Sequence, residues 1–170
     1  MQKTSEDTRI ILDPLGYALG AEIRGLDISL PPNRKEVEAV NAIWQEHHVI
    51  VFRGKKLQPS GIVNFAQEFG QLDDHASTPS YRHKDFPQLL QITNRLIDGR
   101  PSETRNTGRN WHSDYSYTGQ PAAASMLYCD QRPPIGGDTM FANMVRAYET
   151  LSTTMQGIVD NLHAVYDISL

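Results

Sequence analysis

The segment Trp111-His112-Ser113-Asp114-Tyr115-Ser116-Tyr117 alternates two kinds of side chain. Aromatic residues occupy three of the odd positions, whereas His112 and Asp114 occupy even positions. Successive side chains of a β-strand point to opposite faces, so the alternation predicts a strand with an apolar face and a face that carries His112 and Asp114 together. An imidazole and a carboxylate side by side are two of the three ligands of the 2-His-1-carboxylate site, which non-haem Fe(II) oxygenases use.

A second pair with the same spacing, His83 and Asp85, shows that spacing alone does not identify a site. This pair lies in a polar run and is followed by Phe86-Pro87. A proline at that point is typical of a loop or of the edge of a sheet. We therefore interpret His83 and Asp85 as loop residues, and we take His112 and Asp114 as the candidate ligands.

Composition limits the class of protein. A chain of 170 residues fits a single domain, 1–170, that buries about 70% of its unfolded surface. The net charge of -4 argues against general nucleic-acid binding, which requires a basic surface. The single cysteine, Cys129, excludes an intrachain disulfide and indicates a reducing compartment. Neither a signal peptide nor a run that could span a bilayer is evident, so we expect a cytoplasmic protein without membrane association.

Local patterns predict a mainly β protein with flanking helices. Asn33 followed three residues later by Glu36 is a capping box, which predicts the start of a helix. Apolar runs bounded by turn residues predict strands, and apolar residues at helical spacing predict helices. The further strands are expected over 10–12, 21–23, 49–52, 89–93, 122–129 and 139–142, and the further helices over 59–69, 144–148 and 153–162, the last with a second capping box formed by Thr153 and Gln156.

Residues 95–110 form the longest segment that is expected to be weakly structured. The segment carries four arginines, which are Arg95, Arg100, Arg105 and Arg109. Loops of this length in a compact domain are usually lids, binding loops or disordered segments. The arginines fit either a solvated surface or a mobile cationic lid that attracts an anionic substrate. Both interpretations stay open.

Several further motifs occur in a fixed order around the candidate ligands. They are Val49–Gly54, Phe65–Gly70, Pro133-Pro134, Gly136-Gly137-Asp138-Thr139 and Ala147–Ser152. Together with Trp111–Asp114, these motifs resemble the TauD/TfdA family of Fe(II)- and 2-oxoglutarate-dependent dioxygenases. The resemblance implies a double-stranded β-helix, which is a cupin-like jelly roll, with flanking helices.

The resemblance also implies a role for individual residues. His112 and Asp114 match two of the iron ligands of the family, and Thr139 matches the threonine that hydrogen-bonds a carboxylate of 2-oxoglutarate. His75, five residues after Gly70, matches a histidine that contacts the substrate. The implied reaction consumes O2 and 2-oxoglutarate, releases succinate and CO2, and hydroxylates a small anionic organic substrate. That substrate is expected to be a sulfonate or a carboxylate, taurine-like or aryloxyalkanoate-like.

One part of the family pattern is absent from this sequence. The family has a third histidine ligand far downstream, followed by an arginine that binds 2-oxoglutarate. His163 is the only histidine after Asp114, and it lies too close, so we interpret it as a surface or edge residue. We therefore expect an N-terminal portion of a dioxygenase, with a jelly roll incomplete at the C-terminus, that is inactive alone and forms a homo-oligomer. A non-catalytic jelly-roll binding module and a hydrolytic zinc site on the same residues remain open alternatives.

Overall fold

The computed structural model describes residues 10–76 and 79–166, with Pro79 described by its backbone alone. The chain forms two compact units. The first contains the described residues up to Gly70 together with Cys129–Asn161, and the second contains Gln71–Tyr128 and the residues from Leu162 onward. Within the described ranges, no helix is both long enough and apolar enough to cross a membrane.

The first unit contains a three-stranded sheet in the order β1-β2-β3. Its strands are β1 (Ile11–Pro14), β2 (Ala21–Arg24) and β3 (Ile50–Phe52). Strands β1 and β2 are antiparallel, with Leu12 opposite Ile23, whereas β2 and β3 are parallel, with Glu22 opposite Val51. A parallel pair needs a long crossover connection, and helix α1 (Arg34–His47) supplies it.

The predicted capping box at the start of α1 is confirmed. The Asn33 side chain accepts a hydrogen bond from the Glu36 N–H at 3.1 Å, and the Glu36 carboxylate accepts one from the Asn33 N–H at 2.7 Å. The helix ends at His48, which adopts a φ of 62° and donates its N–H to the Trp44 carbonyl at 2.7 Å. Reciprocal capping satisfies N–H groups that otherwise lack partners at a helix start, which is why this boundary is readable from sequence.

Helix α2 (Pro59–Gln67) supplies much of the core of the first unit. Phe65 is buried, and its ring centroid lies 5.4 Å from that of Phe52 and 5.1 Å from that of Phe69. The helix ends two residues before the predicted end at Phe69. Strand β3, at the edge of the sheet, is half-buried and lies within the strand predicted over 49–52.

Two short helices, α3 (Met144–Glu149) and α4 (Thr153–Val159), complete the first unit. The Asn143 side chain caps α3 by accepting from the Arg146 N–H at 2.9 Å. The prediction for α4 is wrong in two respects, because Ser152 rather than Thr153 is the cap and the helix stops before 162. The Ser152 hydroxyl accepts from the Met155 N–H at 3.3 Å, and the Gln156 side chain donates to the Tyr148 carbonyl at 3.1 Å.

The second unit contains a hairpin inside the segment that was expected to be weakly structured. Strands β4 (Leu96–Ile97) and β5 (Arg100–Pro101) pair in antiparallel fashion. Asp98 and Gly99 join them with φ values of 50° and 77°, as a two-residue hairpin turn with two left-handed residues requires. A 3₁₀ turn over Glu103–Asn106 follows. The expectation of a weakly structured loop over 95–110 is therefore wrong.

Three of the six further predicted strands are not strands in the described ranges. The segments 122–129 and 139–142 belong to no sheet, and at 89–93 only a single bridge joins Leu90 to Arg82. A strand is defined by hydrogen bonds to a neighbour, which a local apolar pattern does not supply. The described residues are mainly non-helical, with one three-stranded and one two-stranded sheet. The jelly roll and the single domain over 1–170 stay predictions.

Candidate metal centre

Asp114 begins a turn over 114–117 and His112 lies just before it, so the predicted strand over 111–117 is wrong. Tyr115 has a φ of 57°, and its carbonyl accepts hydrogen bonds from the N–H and the hydroxyl of Thr118 at 3.0 and 2.9 Å. A left-handed residue redirects the chain, so odd and even positions no longer map onto two faces. The expected apolar face is absent as well, since the Trp111 side chain is 69% exposed.

The turn nevertheless places the two predicted ligands beside each other. Nε2 of His112 lies 3.4 Å from Oδ1 of Asp114, and the two side chains are 54% and 47% exposed. Two donors at right angles on a metal, each about 2.1 Å from it, are about 3.0 Å apart. The observed separation therefore fits a shared metal ion after a small adjustment.

The hydrogen bond of His112 leaves Nε2 as the ring nitrogen that could bind a metal. Nδ1 of His112 lies 2.7 Å from the carbonyl oxygen of Asn110. A carbonyl only accepts hydrogen bonds, so Nδ1 carries the proton of the neutral ring and Nε2 keeps its lone pair. Metal-binding histidines commonly have this arrangement, in which the far N–H donates to a carbonyl and fixes the ring.

Asp114 is held through its second oxygen. The Ser125 hydroxyl donates a hydrogen bond to Oδ2 of Asp114, from a position 11 residues further along the chain. Sequence reasoning missed Ser125, because the predicted strand over 122–129 gave no reason to single out one residue. It also missed the Asn110 carbonyl, since a backbone acceptor has no signature in the sequence.

His75 is also connected to the ligand turn. Its Nδ1 lies 2.9 Å from the Tyr115 hydroxyl, and its Nε2 lies 3.2 Å from the Gln88 carbonyl. The carbonyl requires a proton on Nε2, so the neutral ring carries its proton there. The His75 side chain is only 16% exposed. His75 is thus a partly buried residue that contacts the neighbour of Asp114, which its sequence position alone would not show.

The environment of Tyr115 favours the neutral phenol. Burial raises the pKa of the Tyr115 hydroxyl, and the negative charge of Asp73 raises it further, with smaller contributions from Tyr117 and Asp114. An open cavity of about 340 Å³ lies over this turn, lined by Leu90 and residues 112–117. The cavity gives a small ligand access to the face that carries His112 and Asp114.

The other sequence-predicted residues lie elsewhere. Thr139 is exposed and belongs to the first unit, whereas His112, Asp114 and His75 belong to the second. His163 is exposed, as expected for a surface histidine. Among the residues that the structure describes, no group of three or more His, Cys, Asp or Glu side chains could hold a metal ion.

The second pair with the same spacing has a local role. Nδ1 of His83 accepts a hydrogen bond from the Asp85 N–H at 3.2 Å, and the imidazole ring packs against Phe86 with centroids 5.5 Å apart. The ring nitrogen therefore stabilises a bend in the chain. This geometry agrees with the interpretation of His83 and Asp85 as loop residues.

Comparison with known proteins identifies the family. The family model described as "Taurine catabolism dioxygenase TauD, TfdA family" matches residues 12–169. The chain belongs to the TauD/TfdA family. It is 30% identical to the alpha-ketoglutarate-dependent 2,4-dichlorophenoxyacetate dioxygenase of Cupriavidus pinatubonensis, over 91% of this chain and 57% of the relative. Similarity to the alpha-ketoglutarate-dependent sulfate ester dioxygenase of Pseudomonas putida is 32% identity, over 90% of this chain and 48% of the relative.

Two solved structures have a similar fold. A taurine dioxygenase from Burkholderia xenovorans aligns with a TM-score of 0.58 and 27% identity, over 89% of this chain and 51% of that one. AAD-2, in complex with Mn(II) and N-oxalylglycine, aligns with a TM-score of 0.67 and 24% identity, over 89% and 53% of the two chains. The chain thus spans about half the length of the relatives that it matches.

Proposed function

We propose that this TauD/TfdA protein acts as an Fe(II)- and 2-oxoglutarate-dependent dioxygenase that hydroxylates a small anionic organic substrate. The observation that carries the proposal is the donor pair of His112 and Asp114, with Nε2 and Oδ1 3.4 Å apart and the ring oriented by the Asn110 carbonyl. In the proposal, these two atoms hold the iron. A third protein donor completes the 2-His-1-carboxylate set, which the described residues do not bring to the pair.

The bound metal would supply the oxidative chemistry, which couples decarboxylation of 2-oxoglutarate to succinate and CO2 with insertion of oxygen from O2 into a C–H bond. The contribution of the chain is to orient the participants and to exclude water. Thr139 is proposed to donate its hydroxyl proton to a carboxylate of 2-oxoglutarate, for which a neutral donor is suited.

The substrate is proposed to carry a sulfonate, sulfate or carboxylate group. The names of three relatives support this class, since they act on 2,4-dichlorophenoxyacetate, on sulfate esters and, for a Saccharomyces cerevisiae enzyme 28% identical to this chain, on sulfonates. His75 is the proposed substrate contact, and its Nδ1 lies beside the hydroxyl of Tyr115, which lines the cavity. The arginines of 95–110 would add positive charge on the approach.

We also propose that the fold is the jelly roll of the family, in one domain, and that the protein works in the cytoplasm. The similarity to solved TauD-like structures supports the fold. The single exposed cysteine, Cys129, supports a reducing compartment.

The experiment uses the protein purified at its natural length and supplied with Fe(II), 2-oxoglutarate and O2. Succinate release and O2 consumption are measured together against sulfonates, sulfate esters and aryloxyalkanoates, with the corresponding neutral amides or alcohols as matched controls. The expected result is equal succinate and O2 turnover, stimulated by acids and not by neutral analogues. Preference for the neutral compounds would contradict the proposed substrate class.

The same experiment separates the two alternative functions. Substrate cleavage that requires zinc and proceeds without O2 would identify a hydrolase and overturn the proposal. Binding of an organic acid without any succinate release, in protein that is shown to contain Fe(II), would identify a non-catalytic binding module.

A further inference from the structure

Among the described residues, Ser125 is the only one whose hydroxyl donates a hydrogen bond to the Asp114 carboxylate. It lies in the non-helical segment between Pro121 and Cys129, and both partners belong to the second unit. A carboxylate has no proton to give at neutral pH, so the serine hydroxyl is the donor. Hydrogen bonds from a hydroxyl to an ionised carboxylate are among the shorter and stronger ones in proteins.

This hydrogen bond gives the two carboxylate oxygens of Asp114 different partners. Oδ2 accepts the proton of Ser125, while Oδ1 faces Nε2 of His112 at 3.4 Å. An oxygen that accepts a strong hydrogen bond is a poorer metal donor than its free neighbour. The arrangement therefore favours a single oxygen of Asp114, Oδ1, as the metal ligand.

The backbone around Asp114 does not by itself fix the orientation of the Asp114 side chain. Asp114 lies in a turn with a left-handed Tyr115 rather than on a strand, and its side chain is 47% exposed. A partly exposed aspartate in a turn can rotate between several staggered positions. A hydrogen bond from Ser125 restricts that rotation, as the Asn110 carbonyl does for His112.

We propose that Ser125 is a positioning residue that fixes Asp114 as a one-oxygen ligand and thereby sets the affinity of the metal site. The inference rests on the proposed function, because it takes His112 and Asp114 as metal ligands. It assigns a role to a residue outside the ligand pair that no motif in the sequence singles out. Partners of this kind typically change metal affinity by about 10- to 100-fold when they are removed.

The test is a titration of the natural-length protein with Mn(II) alone, in which electron paramagnetic resonance measures the concentration of the free ion. Ser125→Ala should raise the dissociation constant about 10- to 100-fold. Ser125→Thr keeps the hydroxyl and should stay close to the wild-type value. Ser80→Ala, which removes an exposed hydroxyl elsewhere in the same unit, is the matched control and should leave both binding and the thermal midpoint unchanged.

Two further variants separate the possible failures. His112→Ala should abolish tight Mn(II) binding, and if it binds like wild type, the proposed function itself fails. If His112→Ala loses binding while Ser125→Ala binds like wild type, only the role of Ser125 is overturned. If Ser125→Ala does not fold, Ser125→Cys decides, because it keeps the volume but replaces the hydroxyl with a weak donor, and wild-type affinity in that variant would refute the proposal.

Discussion

The Nδ1 atom of His75 lies 2.9 Å from the hydroxyl of Tyr115, 40 residues away in the sequence. Both residues have a left-handed backbone, with φ values of 53° and 57°. Non-glycine residues adopt this conformation at an energetic cost, so it persists where surrounding contacts hold it. The hydrogen bond between the two side chains is one such contact, and it fixes the turn that carries Asp114.

The candidate ligand pair can be tested against the control pair in the same chain. Replacing His112 or Asp114 with alanine should abolish tight Mn(II) binding and Fe(II)-dependent succinate release in the natural-length protein, because each change removes one donor of the pair. Replacing His83 or Asp85 with alanine should preserve both, since that pair stabilises a bend. Loss of binding in the His83 variant together with normal binding in the His112 variant would show that the wrong pair was chosen.

Stability at high pH should depend on Tyr115. Its pKa in the folded protein is raised above the ordinary value of about 10. The neutral phenol therefore stabilises the folded protein fully below a pH of about 10, and this stabilisation is lost as the pH rises through the raised pKa. In Tyr115→Phe, the free energy of unfolding should fall less between neutral and alkaline pH than in the wild type. Urea unfolding at each pH measures this difference. Tyr81 and Tyr148, whose pKa values are also raised, remain in both proteins and cancel in the difference. An identical pH slope in the variant would contradict the prediction.

The stability of the segment that contains the hairpin should depend on the buried hydroxyl of Thr104. Thr104 is 5% exposed, and its hydroxyl accepts from the Thr93 N–H at 3.1 Å and donates to the Gln91 carbonyl at 3.2 Å. Thr104→Val keeps the shape but leaves both backbone groups without this partner, which should cost about 1–3 kcal/mol. Urea unfolding would measure the loss, with the exposed Thr107→Val as the control. Equal stability of the two variants would mean that the buried hydroxyl contributes nothing.

Residues 1–170 alone should release no succinate and should bind Mn(II) weakly. The described residues bring two ligands together and no third. Adding free imidazole, which can occupy the position of a histidine ligand, should tighten Mn(II) binding in wild type but not in Asp114→Ala. Full turnover by this polypeptide without additives would show that a third ligand is already present, and His163 would be the first residue to replace.

The same polypeptide is expected to self-associate. Large apolar side chains are exposed in both units, among them Ile135 at 92%, Met140 at 72% and Trp111 at 69%. Exposed apolar patches promote association because burial removes their surface from water. Light scattering over a range of concentrations measures the molar mass. A mass that stays at the monomer value of 19.1 kDa throughout would refute this expectation.

Local patterns in the sequence determined the features whose cause is local. The start of α1 follows from two hydrogen bonds between Asn33 and Glu36, which are three residues apart. The choice of His112 and Asp114 as candidate ligands followed from residue type, spacing and family motifs. The Asp98-Gly99 turn had a readable signal as well, but the polar composition of 95–110 hid it.

Only the tertiary structure decided how the ligand pair is held. The alternation over 111–117 fits a strand, but the left-handed Tyr115 makes the segment a turn. Contacts between Ser125 and Asp114, and between His75 and Tyr115, join residues 11 and 40 positions apart. Periodicity describes how one segment presents its side chains, whereas the partner of a side chain depends on which other segments fold beside it.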